Sequence, residues 1–249
     1  MLSKKLLPAA VTAAALLGAG QATADDAIVT GDEYQGFTAN VTLTSDYRFR
    51  GISQSDESVA IQGGFDYAWD NGIYIGTWGS SVDFDDDGSL GSLELDYYIG
   101  WAFDITDNFS LDVGYLYYDY PGDDGDSEGD YQEIYGSATW FGVTAGVHYS
   151  DDYYAETDTF WYYYAAYSLG LFDDFLTLDF HIGYNDLEKD GGFLSSDEDS
   201  YVDYTVAATV SQWGLDWSVA WVGTDLDDDD VFGTDWADDT VVFSISKSM

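Results

Sequence analysis

Hydrophobic and polar residues alternate along most of this chain with a period of two, the spacing of a β-strand whose faces meet different surroundings. The C-terminal stretch shows it well, since Val241, Phe243 and Ile245 alternate with more polar neighbours that include Ser244 and Ser246. The pattern recurs in about twelve segments of roughly ten residues. It predicts an all-β chain whose strands each have one apolar and one polar face.

The connections between the predicted strands alternate in length. Tight turns are predicted at Asn71, Asp107, Phe141, Leu171 and Gln212, and long connections at 51–58, 85–91, 121–130, 151–158, 185–200 and 223–239. This alternation is typical of outer-membrane barrels, in which short periplasmic turns and long outer loops join neighbouring strands. We therefore predict a transmembrane antiparallel up-and-down β-barrel of about 12 strands, give or take two, in the outer membrane of a Gram-negative cell.

Residues 1–24 are predicted to be a signal peptide, and 25–249 the barrel. Lys4 and Lys5 precede an apolar run, and Ala22-Thr23-Ala24 offers the small residues after which a signal peptidase cleaves. The apolar run is too short for a membrane-spanning helix. Because no other segment of the exported chain covers the apolar faces of the strands, we expect lipid to cover them.

Aromatic residues make up 18% of the chain and favour the same interpretation. The rings assigned to the apolar faces, many of them near strand ends, include Tyr47, Phe49, Tyr115, Tyr117, Trp161, Tyr163, Trp217 and Trp221. Rings with a polar group form girdles at the headgroup level of membrane barrels. The alternative is a soluble barrel that packs these rings inward, but a ring this small has little room for them.

The chain carries 48 Asp and Glu residues against 6 Lys and Arg, a formal net charge of -42. Nucleic acid is excluded as a partner because phosphate binding needs a basic surface. The loops hold most of the acids, which favours adaptation to high salt, with a cation-preferring pore or calcium-bridged loops as alternatives. The absence of cysteine excludes disulfides and thiol metal sites.

The polar strand faces hold most of the candidate functional residues. The proposed pore-lining residues are Arg48, Arg50, Asp66, Glu94, Asp96, Asp112, Asp179, His181, Asp203 and Asp216. Inward glycines such as Gly64, Gly100, Gly114, Gly146 and Gly183 add no side chain, so a narrow, cation-favouring water channel is predicted. The alternative is an interior blocked by hydrogen bonds among the same groups.

Two arginines at the outer end of the first predicted strand stand out in so acidic a chain. Arg48 and Arg50 either bind an anionic group of a solute or form salt bridges with interior acids such as Asp46. The salt bridge is the favoured interpretation.

Metal binding and catalysis have weaker support. Asp83, Asp85, Asp87 and Glu94 match the spacing of a calcium-binding loop, but strands rather than helices flank them. A calcium ion in an outer loop is therefore a secondary hypothesis, and no other cofactor is expected. His148 and His181 lie on the polar faces without a nucleophile motif, so we assign no catalytic residue and keep a rim hydrolase only as a minor alternative.

Several stretches resemble one known family. LTSDYRFRGISQS at 43–55 and AIQGGFDY at 60–67 resemble the opening signature of the TorF family of porin-like proteobacterial outer-membrane barrels, and GIYIGTWGS at 72–80 and VFSISKS at 242–248 are similar to it as well. The resemblance implies an outer-membrane barrel and solute permeation. One departure is Met249, since barrels of this kind usually end in Phe, which the insertion machinery reads.

The function predicted from these features is passive diffusion of small cationic or neutral solutes through an acidic lumen. The expected partners are outer-membrane lipid and lipopolysaccharide, the barrel-assembly machinery and the solutes themselves. The alternative is a closed structural or adhesive barrel whose acidic outer loops bind divalent ions.

Overall fold

The computed structural model describes residues 36–84, 91–123, 129–173, 175–188 and 192–249. Twelve antiparallel strands form a closed barrel in which consecutive barrel strands pair and the first also pairs with the last. The barrel strands are β1 Phe37–Thr44, β4 Ala60–Ala68, β5 Ile73–Ser81, β6 Leu93–Thr106, β7 Phe109–Asp119, β8 Tyr131–Trp140, β9 Val143–Ser150, β10 Phe160–Leu171, β11 Leu176–Leu187, β12 Ser200–Gln212, β13 Leu215–Thr224 and β14 Thr240–Ser248. The predicted all-β barrel and its strand number are confirmed.

Four shorter elements lie in the long connections. Strands β2 (Arg48–Phe49) and β3 (Ile52–Ser53) form a hairpin separate from the barrel. Two 3-10 turns cover Tyr154–Glu156 and Asp228–Asp230. No helix in the described part of the chain is long and apolar enough to cross a bilayer.

The apolar strand faces point outward. Val241 is 51% exposed while the adjacent Val242 is 1% exposed, although the two side chains are identical. On β6, Tyr97 and Ile99 are exposed, whereas Asp96 and Tyr98, which alternate with them, are buried. An outer surface of this composition is the reverse of a soluble barrel and is typical of a barrel surrounded by lipid.

The connections sort by length onto the two ends of the barrel. Turns at 69–72, 107–108, 141–142, 172–173 and 213–214 lie at one end together with the start of β1 and the end of β14, and we name this the short-turn end. The opposite, long-loop end carries the connections between the other ends of the strands. Exposed rings such as Trp140 and Trp213 mark the short-turn end, and Trp161 and Trp221 lie toward the long-loop end.

The first predicted strand is wrong in its second half. The alternation over residues 37–49 predicted one continuous strand, but β1 ends at Thr44 and residues 45–58, which we name the plug segment, enter the barrel. Tyr47 and Phe49, predicted to face lipid, are therefore 1% and 8% exposed within the interior. The hydroxyl of Thr44 donates to the carbonyl of Asp46 at 2.8 Å, which stabilises the departure from the barrel wall.

The buried side chains of the interior form two clusters that differ in side-chain size. One large buried cluster contains tyrosines from β5–β8, β10, β12, the plug segment and the connections between strands. A second cluster on β12–β14 consists of Ala207, Ala220, Val222 and Val242. Large rings therefore dominate the first cluster, and small side chains make up the second.

Candidate functional site: the barrel interior

The plug segment ends in a tight hairpin. Arg50 and Gly51, with φ of 48° and 85°, connect the paired residues Phe49 and Ile52. Two positive φ values are the signature of the two-residue turn that suits the twist of paired strands. A Cβ atom on Gly51 would lie 2.3 Å from Cγ2 of Thr224, so glycine also lets the turn press against β13.

The carboxylate of Asp46 holds the base of the plug segment together. It accepts hydrogen bonds from the hydroxyls of Ser53 at 2.7 Å and Ser55 at 3.1 Å. It also forms an ion pair with Nε of Arg48 at 2.5 Å. The predicted salt bridge between Arg48 and Asp46 is confirmed.

Arg48 connects the plug segment to the connection at 225–239. Its guanidinium forms a second ion pair, with Glu57 at 2.9 Å, and donates to the backbone carbonyls of Gly51, Trp236 and Asp238. Protein groups thus occupy its Nε and both terminal nitrogens. In this conformation Arg48 stabilises the closed interior and has no nitrogen left for a solute anion.

Arg50 lies in a cage of aromatic rings. Its guanidinium carbon is 4.6 Å from the ring centroid of Phe49, 4.6 Å from that of Phe160 and 4.4 Å from that of Tyr162. One terminal nitrogen lies 2.7 Å from the carboxylate of Glu133. Burial lowers the pKa of Arg50, but the Glu133 carboxylate more than offsets this effect, so the pKa is raised and the side chain stays charged.

Glu133 is the partner that sequence reasoning missed. It is fully buried on β8 and also accepts hydrogen bonds from the hydroxyl of Tyr118 at 3.2 Å and interacts with Nδ1 of His148 at 2.8 Å. The alternation places it on the polar face beside Ile134, so the strand pattern indicated its direction. The pairing with Arg50 depends on the plug segment and could not be read from that pattern.

The two histidines belong to hydrogen-bond networks. Nε2 of His181 is 2.6 Å from the hydroxyl of Tyr162 and 3.3 Å from Asp203, which also accepts from Asn185 at 2.9 Å. Among the described residues, neither His181 nor His148 is hydrogen-bonded to a serine or threonine hydroxyl. The arrangement therefore supplies no nucleophile for the hydrolase alternative.

Four interior carboxylates near the short-turn end have a different environment. Each accepts a hydrogen bond from a neutral hydroxyl, and among the described residues none is within 4.0 Å of a cationic group. The four pairs are Asp66 with Tyr98, Asp112 with Tyr74, Asp179 with Ser168, and Asp216 with Ser211. This half of the interior is therefore acidic without compensating charge.

The inward glycines do not open a lumen, contrary to our expectation. A Cβ on Gly100 would lie 2.2 Å from the ring of Tyr74, its direct partner on β5, and one on Gly114 would lie 2.3 Å from the hydroxyl oxygen of Tyr135. The same contact recurs between Gly146 and Tyr164. Each tyrosine ring thus covers the space that a glycine leaves on the neighbouring strand.

All ten residues predicted to line a pore face the interior, but two do so from an unexpected element. Arg48 and Arg50 lie on the plug segment and not on the barrel wall. The other eight lie on the inner faces of β4, β6, β7 and β11–β13. Their role in lining a conducting path stays a prediction.

The predicted calcium loop is only partly described. Asp83 donates its backbone N–H to the carbonyl of Gln54, and Glu94 faces the interior, where it accepts a hydrogen bond from Tyr47 at 3.0 Å. Asp85 and Asp87 lie outside the described residues, so calcium binding there stays a prediction. A separate group of exposed carboxylates, Asp228, Asp235 and Asp238, has oxygens within 4.8 Å of one another.

Comparison with known proteins places the chain in a family. A family model described as a bacterial protein of unknown function, Gcw_chp, matches residues 29–249. The chain belongs to this family. No curated protein sequence matches it significantly.

Solved porins are similar to the Gcw_chp chain in structure. A KdgM porin aligns with a TM-score of 0.52 at 8% identity, over 85% of this chain and 97% of that one. A NanC porin aligns with a TM-score of 0.52 at 11% identity, over 84% of this chain and 97% of that one. At these identities the likeness shows a shared barrel fold.

Proposed function

We propose that this protein is an outer-membrane channel for small solutes that favours cationic or neutral ones, and that the structure represents its closed conformation. The observation that carries the proposal is the contrast between an apolar outer surface and a carboxylate-rich interior within one closed ring of strands. The first surface suits lipid and the second suits hydrated cations.

The outer-membrane location rests on the exposed apolar belt and the bands of rings at both ends. The resemblance of residues 43–55 to the TorF family of porin-like barrels supports the same location. Lipopolysaccharide around the long-loop end and the barrel-assembly machinery are the partners that this location implies. Residues 1–24, the proposed export signal, lie outside the described residues.

Cation preference rests on the uncompensated carboxylates of the short-turn half. Asp66 and Asp216 are half-buried, and hydroxyl groups rather than arginines bind them. A solute cation entering this region meets negative charge, and no Lys or Arg among the described residues faces this part of the interior. Anions meet the same field with the opposite sign and are disfavoured.

The plug segment is the proposed gate. It occupies the long-loop half of the interior and is held by Arg48, Arg50 and their partners, so a solute path requires it to move. The tight packing also favours a second candidate function, a permanently closed barrel whose acidic outer loops bind divalent ions or pack against lipopolysaccharide. The two candidates differ in one measurable property, conductance.

The experiment is single-channel recording of the folded protein in planar bilayers under a salt gradient. We expect discrete opening steps and a reversal potential shifted toward the cation value. Neutralising Asp66 and Asp216 together by substitution with Asn should reduce that shift, because these carboxylates are the accessible charges of the short-turn half. Replacing Asp152, an exposed loop residue, with Asn is the matched control and should leave the shift unchanged.

Two results would contradict the proposal. An absence of opening steps at all voltages would favour the closed barrel. Open channels with an anion-selective reversal potential would leave a pore but remove the role assigned to the interior carboxylates.

A further inference from the structure

One interior carboxylate has no hydrogen-bond partner in the part of the chain that the structure describes. Asp96 lies on the inner face of β6, is 0% exposed, and neither of its carboxylate oxygens has a hydrogen-bond partner among the described residues. Its direct cross-strand neighbours are Trp78 on β5 and Tyr118 on β7. Burying a carboxylate without a partner is strongly unfavourable.

A second carboxylate shares this face of the strand. Glu94 precedes Asp96 by two residues, which places the two Cβ atoms about 7 Å apart on the same side of the strand. Glu94 is also fully buried and accepts a hydrogen bond from Tyr47. The carboxylates that act on Asp96 electrostatically are Glu94 and Glu133, so its neighbours increase the unfavourable charge.

The cationic groups of this half are already paired with other acids. Arg48 binds Asp46 and Glu57, and Arg50 binds Glu133. Among the described residues, neither Glu94 nor Asp96 is within 4.0 Å of a cationic group. The described part of the protein therefore places no cationic side chain beside either carboxylate.

We propose that Asp96 and Glu94 bind one small inorganic monovalent cation, Na⁺ or K⁺, as a resident ion of the closed barrel. A proton on Asp96 would remove the charge but would leave the other carboxylate oxygen without a partner. A bound cation supplies both the missing charge and a partner for the oxygens. This site is independent of whether the barrel conducts.

The test is thermal unfolding of the whole folded protein in a zwitterionic detergent. Chloride salts of Na⁺, K⁺ and tetraethylammonium are compared at equal concentration, with tryptophan fluorescence as the readout. Surface carboxylates are screened by all three salts, but tetraethylammonium is too large for a fully buried site. We expect Na⁺ or K⁺ to raise the Tm by roughly 5–10 °C over tetraethylammonium at a hundredfold excess over the dissociation constant.

Matched variants locate the effect. Asp96→Asn keeps the shape without the charge and should lose the difference between small and large cations, and Glu94→Gln should weaken it. Asp112→Asn is the control, because that carboxylate already has the hydroxyl of Tyr74 at 2.9 Å, and it should keep the difference.

Two outcomes overturn the proposal. One is an equal Tm in all three salts for the unmodified protein. In that case, an infrared band of a protonated carboxyl that is lost in Asp96→Asn would show that a proton neutralises Asp96. The other is a small-cation effect that persists undiminished in Asp96→Asn, which would place the bound ion elsewhere.

Discussion

The two halves of the barrel interior carry similar carboxylates but neutralise them differently. In the long-loop half, arginines from the plug segment bind Asp46 and Glu133, and aromatic rings surround the Arg50 guanidinium. In the short-turn half, hydroxyls of the barrel wall donate hydrogen bonds to Asp112 and Asp179, and neither carboxylate has an ion pair among the described residues. Ion pairs hold the first half at Asp46 and Glu133, although Glu94 and Asp96 have none, whereas the four carboxylates of the second half have no ion pair among the described residues.

This difference separates two kinds of carboxylate environment within one interior. A buried ion pair is costly to break, because removing either partner leaves the other charge unpaired. When a carboxylate is bound only by a neutral hydroxyl, its removal leaves no unpaired positive charge. In the proposed channel, the long-loop half holds the plug segment in place and the short-turn half supplies the field that favours cations.

Removing the Arg50 charge should have the largest effect on stability. Arg50→Met keeps an apolar side chain within the aromatic cage but leaves Glu133 without its cation, so we expect a loss of about 3–5 kcal/mol. Urea unfolding of the protein folded into lipid vesicles, followed by tryptophan fluorescence, measures it. The double variant Arg50→Met with Glu133→Gln should recover most of the loss, and a double variant as unstable as the single one would show that the ion pair is not the cause.

Adding a methyl group under a tyrosine ring should have the next largest effect. In Gly100→Ala the new Cβ would lie 2.2 Å from the Tyr74 ring and displace its hydroxyl from Asp112, at a cost of about 1–3 kcal/mol in the same unfolding measurement. Gly136→Ala is the matched control, because the nearest atom to its Cβ is 3.7 Å away. Equal effects of the two substitutions would mean that strand propensity, and not the ring contact, sets the cost.

Neutralising a carboxylate of the short-turn half should have the smallest effect. Asp112→Asn still offers an oxygen to the hydroxyl of Tyr74 and leaves no cation unpaired, so we expect a change within about 1 kcal/mol. Glu133→Gln, which leaves Arg50 unpaired, is the comparison in the same assay and should cost several times more. If Asp112→Asn were the more destabilising of the two, the proposed contrast between the halves would be wrong.

The barrel could be predicted from the sequence because apolar and polar residues alternate in every strand. This alternation shows which face of each strand is apolar. The plug segment could not be predicted in this way. Tyr47 and Phe49 continue the alternation of β1, so the pattern alone does not show where the wall ends. The local signal was Arg50-Gly51, a pair able to adopt two consecutive positive φ values between residues that pair as strands.

The side-chain contacts of the interior could not be predicted from the alternation within single strands, for a different reason. The cover of Gly100 by Tyr74 and the ion pair of Arg50 with Glu133 depend on which residues of different elements lie opposite each other. Alternation gives the direction of a side chain but not its partner. The same limit applies to Asp96, whose inward direction was predicted and whose isolation was not.

The glycine and tyrosine contacts have a consequence for how this barrel tolerates sequence change. A shift of one residue between β5 and β6 would bring the Tyr74 ring against a side chain in place of Gly100, so the inner wall encodes the alignment of the strands. The outer face, in contrast, requires only apolar side chains, and their shapes matter little. Sequence differences among related barrels should therefore accumulate on the outer face, while the inner face keeps its pairs of tyrosine and glycine on neighbouring strands.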